Sequence, residues 1–140
     1  MEVKEAREYI GRFKFQEDLL GALSDFCKRE NLKLGVFSII GALTKVRLGY
    51  YHQIKQQYVE CLKLDKKLEI VSCIGNISLY ENDIFVHVHI SLADHSGRCY
   101  GGHLLPGSVI FAAEYHIKEL SCAELERSHD KDTGLNLWPY

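Results

Sequence analysis

The chain has 140 residues, 46% of them hydrophobic and 26% charged, which suits a single domain with a substantial core. Its formal net charge of −2 removes the simplest electrostatic case for a nucleic-acid binder, because phosphate affinity comes largely from clustered Lys and Arg. Five cysteines, an odd number with no C-x-x-C pair, exclude a small disulfide framework and read as free thiols; MEVKEAREYI lacks a signal-peptide h-region and no apolar run reaches membrane-spanning length, so the expected location is cytoplasmic.

In chain order, Val3 to Phe15 has strand character around Tyr9-Ile10-Gly11-Arg12-Phe13. From Glu17 to Glu30, Leu19, Leu20, Leu23, Phe26 and Cys27 recur at helical spacing, with Glu17 and Asp18 at the start and Lys28 and Arg29 at the end. Asn31 is a natural stop for this amphipathic helix. LKLGVFSIIGALTKVRLGYY then reads as a buried strand, a glycine break at Gly41 and a second strand. Two more strands follow, Gln57 to Leu64 and Leu68 to Leu79. The latter carries Ile70, Val71, Cys73, Ile74 and Ile77 on both parities, which predicts a central strand covered on each side. Between them Lys63, Lys66 and Lys67 form the densest basic cluster, but Asp65 interrupts it and Glu69 follows, so a solvated face is expected.

Ile84 to His103, IFVHVHISLADHSGRCYGGH, is the stretch most suggestive of chemistry. Ile84, Val86, Val88, Ile90 and Leu92 share one parity, which leaves His87 and His89 together on the opposite face of a strand. A hairpin turn is expected at Ala93-Asp94-His95-Ser96-Gly97, and Gly101-Gly102 would help fold the chain back and bring His103 beside the pair. Three neutral imidazoles plus water make a coordination set that zinc accepts, with an open fourth position. The competing reading is three solvated surface histidines. Cys99 is either a soft fourth ligand or a residue tolerated in an exposed loop, while Cys27 and Cys73 sit in packed apolar contexts.

The last long strand is expected from Ser108 to Leu120. Glu114 on it is a candidate proton donor, a partner for a metal ligand, or half of an ion pair. Residues 1–122 form the expected domain and 123–140 a polar, loosely held tail in which Trp138 docks on a neighbour. The pattern is α+β: one main amphipathic helix packed on a mostly antiparallel sheet.

GALTKVRLGYY, LEIVSCIGNIS and HVHISLADHSGRCYGGHLLPGSVIFAAE resemble the prokaryotic stand-alone members of the plants-and-prokaryotes conserved (PPC) domain family, over about Arg12 to Glu119. The resemblance implies a compact homotrimer. It also implies a metal, zinc by expectation, held by His87, His89 and His103 near a subunit interface. Related plant domains sit beside AT-hook peptides, and prokaryotic members are often described as predicted DNA-binding proteins. No Arg-Gly-Arg-Pro core occurs here, so the element that reads the minor groove is absent. A regulatory role through DNA, a protein partner or a small-molecule ligand is the first expectation. A more distant similarity, to acetolactate decarboxylase, supplies the alternative of a zinc enzyme acting on a small oxygenated acid. In that reading Glu114 supplies the proton and Arg47 or Arg98 binds the substrate's carboxylate.

Overall fold

In the computed structural model, which describes residues 1–122 and 125–139, one helix covers one face of an antiparallel sheet, as expected for an α+β domain. Residues 123, 124 and 140 of the expected tail lie outside this description. Helix α1 spans Leu19–Arg29. It starts two residues later than the expected Glu17, because Asp18 is the N-cap: Oδ1 accepts from the Gly21 amide at 2.8 Å. Oδ2 of the same carboxylate accepts from the amides of Gly107 and Ser108, which pins the helix start to a distant loop. Asn31 ends the helix as predicted, in the left-handed conformation (φ 51°), while the Leu32 and Asn31 amides donate to the carbonyls of Cys27 and Lys28.

The strands are β1 (Lys4–Phe13), β2 (Gly35–His52), β3 (Gln57–Leu64), β4 (Leu68–Tyr80), β5 (Asp83–Ala93), β6 (Cys99–Leu104) and β7 (Val109–Ser121), in the spatial order β1-β7-β2-β4-β5-β6, with β3 also on β2. The expected pair of strands around Gly41 is one strand of 18 residues. Gly41 makes a bulge in it instead of a break: its φ is 135°, and a Cβ there would meet the Ala112 carbonyl oxygen at 2.1 Å. The first half of β2 pairs with β7 and β4, and the second half pairs with β3 and β6. Because β6 returns to β2, strands β2, β4, β5 and β6 close into a small barrel-like unit.

The inner face of the sheet carries Phe37, Ile39, Cys73, Val88, Ile90 and Ile117, all buried with Leu19, Leu23, Phe26 and Cys27 of α1 in one core cluster. Phe26 makes an edge contact with Tyr9 and packs on Tyr115, fixing the helix over β1 and β7. Cys27 and Cys73 are packed as expected, and burial pushes both thiols up to about 12. β4 is central, but the first half of its outer face is bare within one chain, with Val71 58% and Ile74 57% exposed, while Ser78 further along is fully buried. The C-terminal segment is fastened down, contrary to the loose tail expected. The Arg127 amide donates to the Leu79 carbonyl at 2.8 Å, and Ser128–His129 (β8) pairs with Asn136–Leu137 (β9) over the outer face. No helix among the described residues is long and apolar enough to cross a membrane.

Candidate metal centre

His87 and His89 leave β5 on the outer face because the alternate residues Val88 and Ile90 are committed to the core, at 1% and 3% exposure. His103 reaches them by strand pairing. It lies directly opposite His89 in the β5–β6 ladder and opposite Gly49 in the β2–β6 ladder. The glycine pair does not fold the chain back as expected; Gly101 and Gly102 lie within β6, and the reversal happens at Asp94–Arg98. Gly102 serves close approach instead, since a Cβ there would meet the Gly49 carbonyl oxygen at 2.9 Å.

Asp94 builds the turn. Its Oδ1 accepts from the amides of Ser96 and Arg98 and from the Ser96 hydroxyl, while Oδ2 accepts from Lys66 Nζ at 2.9 Å and the Tyr100 hydroxyl at 3.1 Å. These donors hold the Asp94 carboxyl well below the usual carboxylate range, the Ser96 and Lys66 side chains contributing most. Lys66, expected on a solvated face, is thus a structural partner of the hairpin that positions His103.

One nitrogen from each of the three imidazoles lies within 4.8 Å of the other two. Ring centroids are 5.0 Å apart for His87 and His89, 5.1 Å for His87 and His103, and 5.6 Å for His89 and His103. Two of the ring nitrogens, His87 Nε2 and His103 Nδ1, are buried with no hydrogen-bond partner among the described residues. A buried polar nitrogen without a partner carries a desolvation cost that coordination would offset. Burial, then the neighbouring His87 and His89 charges, pushes the His103 imidazole down to about 4; burial likewise lowers His87, with His89 and Arg127 adding to it. Both rings are therefore neutral at pH 7, the form that binds a divalent metal. His89 is exposed, which leaves an approach to the cluster from outside. The donor set fits a three-histidine metal centre.

The other residues singled out from sequence do not join this group. Cys99 is exposed, pairs with Ala93 and contacts the Gly97 carbonyl, on the same strand face as His103 but two side-chain repeats away. Glu114 is exposed on β7 between Arg12 and Ile40, three strands from His89 in the ladder. Arg47 is held by Glu60, and Arg98 is exposed in the turn. Two residues near the histidines escaped the sequence reading. Tyr58 of β3 stacks on His103 with centroids 4.3 Å apart. Arg127 of the tail and His87 line the same cavity of about 300 Å³, together with Tyr51, Tyr58, Phe85 and the segment 134–137. Their signal was long-range pairing, which no local pattern encodes.

A model of the Plants and Prokaryotes Conserved (PCC) domain matches residues 1–121. A metal-containing protein from Archaeoglobus fulgidus superposes with a TM-score of 0.91 at 34% identity, covering 99% of this chain and 97% of that one. A PPC protein from Pyrococcus horikoshii gives a TM-score of 0.93, again at 34% identity, over 99% and 95% of the two chains. A Bacteroides thetaiotaomicron protein presented as a candidate DNA binder shares the fold, with a TM-score of 0.85 at 24% identity over 98% and 96% of the chains. In sequence, the bifunctional protein GlmU of Synechococcus sp. (strain JA-3-3Ab) is 32% identical over 130 residues, 91% of this chain. The chain spans only 20% of that relative's length.

Proposed function

The chain belongs to the Plants and Prokaryotes Conserved (PCC) domain family, and from that premise we propose that it is a homotrimeric zinc-binding protein whose metal is held by His87, His89 and His103 with one coordination position open. The observation that carries this reading is the convergence of three imidazoles, two of them with buried nitrogens that have no other partner among the described residues. The likeness to a metal-containing archaeal protein supports it. Bound zinc would supply Lewis acidity to an oxygen ligand at the open position. The chain's own residues hold the rings: the Asp94 turn sets the β5–β6 register, and Tyr58 packs on the His103 ring.

The trimer is supported by the outer face of the sheet. Ile10, Val36, Ile40 and Ile74 are exposed there, at 83%, 41%, 59% and 57%. Ile10 and Ile74 lie on the cross-strand row that runs through His116 and Ser38 to His89 and His103, and Val36 lies on the neighbouring row that runs through Asn76 to His87, so exposed apolar side chains on this face extend to the histidines. An apolar patch of this kind on a soluble domain is covered by association.

DNA is the second reading, favoured by the description given to the Bacteroides thetaiotaomicron relative. If DNA binds, the lysines and arginines of several subunits must gather into one patch, and affinity falls steeply with added salt; no binding near physiological salt removes this reading. The primary reading is tested by elemental analysis of the untagged protein beside a His87→Ala/His89→Ala double variant, with light scattering on the same samples. About one zinc per chain, lost in the double variant, and a mass of three chains are expected. Metal retained by the double variant, or a monomeric mass, contradicts it.

A further inference from the structure

Arg127 is 7% exposed, and its described partners are all neutral. Nε donates to Ser78 Oγ at 2.7 Å, Nη2 to Asn76 Oδ1 at 2.7 Å, and Nη1 to the Asn136 carbonyl at 2.8 Å. The guanidinium faces are covered by Phe85 and Trp138, each ring centroid 4.9 Å from Cζ. No carboxylate among the described residues forms an ion pair with it. A guanidinium has five N–H donors, so two remain after these three bonds, one on each terminal nitrogen. Burying a cation without a counter-charge is expensive, and cation–π contacts offset only part of that cost.

The cavity beside Arg127 opens onto the His87 ring and has walls of Tyr51, Tyr58, Phe85 and Leu137. Largely aromatic and aliphatic walls around a single cation suit an organic anion better than an inorganic one. Arg127 lies outside the residues 1–121 that match the family model, so this feature belongs to the C-terminal segment of this chain. We propose that the cavity between the β8–β9 segment and His87 is a binding site for a small organic carboxylate, its charge met by Arg127 and its other end facing the metal centre. Only the contribution of that other end rests on the zinc reading; the anion site rests on Arg127 and the cavity.

Trp138 is the sole tryptophan of the chain and lies on the Arg127 guanidinium, so its fluorescence reports on the site directly. The experiment titrates lactate, and separately inorganic phosphate, into zinc-loaded and chelator-treated wild-type protein, into Arg127→Gln and into Gln57→Glu, with zinc content measured on each sample. Gln57 is exposed and lines the cavity, so a carboxylate placed there repels the ligand without disturbing the core even if Arg127→Gln loosens the tail. Saturable binding of lactate is expected, weakened roughly tenfold or more in both variants at unchanged zinc content, the effect of losing a charge-assisted contact. Zinc-dependent affinity in the wild type extends the site to the metal. Lactate binding that depends on Arg127 in protein that takes up no zinc when zinc is supplied overturns the metal reading and leaves the anion site standing. No saturable lactate binding, equal binding in the wild type and Gln57→Glu, or a preference for phosphate overturns the proposal.

Discussion

Both faces of the sheet carry large apolar residues, and these meet opposite fates. On the inner face Phe37, Ile39, Cys73, Val88, Ile90 and Ile117 disappear beneath α1, whereas on the outer face Ile10, Ile40 and Ile74 stand exposed, Ile74 directly opposite His89. The inner face spends its hydrophobicity on the stability of one chain. The outer face leaves its apolar side chains uncovered within one chain, and the three histidines stand on that same face. Strand apolarity on both parities therefore marks a central strand, but it does not say whether the second cover comes from the same chain.

The sharpest way to break this contrast is to truncate one residue on each face. Ile117→Ala, at a position with no exposure, is expected to lower unfolding free energy by about 2–5 kcal/mol. Ile74→Ala is expected to cost less than about 0.5 kcal/mol in dilute, dissociated protein, and Ile74→Asp to reduce the assembled mass to one folded chain. Urea denaturation and light scattering check the pair; equal losses in stability would erase the distinction between the faces.

Asp94 links the faces, since its turn holds β6 in the register that carries Leu104 inward and His103 outward. Removing its carboxylate in Asp94→Ala leaves the Ser96 and Arg98 amides without an acceptor and leaves Lys66 only the Tyr100 hydroxyl, and a loss of about 1–3 kcal/mol is expected together with weaker zinc binding. Zinc affinity unchanged by that variant would mean the register does not depend on the turn.

The outer face should also show itself in pH. His103 in the metal-free fold sits at about 4, below its ordinary 6.5, so the unfolded chain binds the proton more readily. The stability that His103 contributes to the metal-free protein is therefore fully present above 6.5, declines as pH falls through the interval from 6.5 to about 4, and is lost below it. Thermal melts of the chelator-treated protein across that range should show the decline, and His103→Asn should flatten part of it. The smallest effect is expected at His116, exposed on the same face and paired with Glu8. His116→Ala should change stability by no more than about 0.5 kcal/mol and leave zinc content intact.

Much of this was legible in local pattern. The helix read from Leu19 to Cys27, its stop at Asn31 and the opposition of His87 and His89 to Val88 and Ile90 all follow from periodicities of a single element. What stayed hidden depends on pairing across the chain. Gly41 signals a break equally well as a bulge until Ala112 is known to lie against it, and Gly101-Gly102 looks like a turn until β2 is seen beside it. The tail reads as polar and loose because its anchor, Arg127, meets Asn76, Ser78 and Phe85, residues about fifty positions away that themselves give no local signal. Local pattern accordingly offers Arg47 and Arg98 for an anionic substrate, whereas the arginine that shares a cavity with His87 is Arg127 of the tail.

The most direct test of the central claim is anomalous diffraction at the zinc edge from crystals of the zinc-loaded protein. One anomalous peak within bonding distance of nitrogens from His87, His89 and His103 is the predicted result. A peak held by other residues, or fully occupied zinc with these three imidazoles uncoordinated, would contradict it.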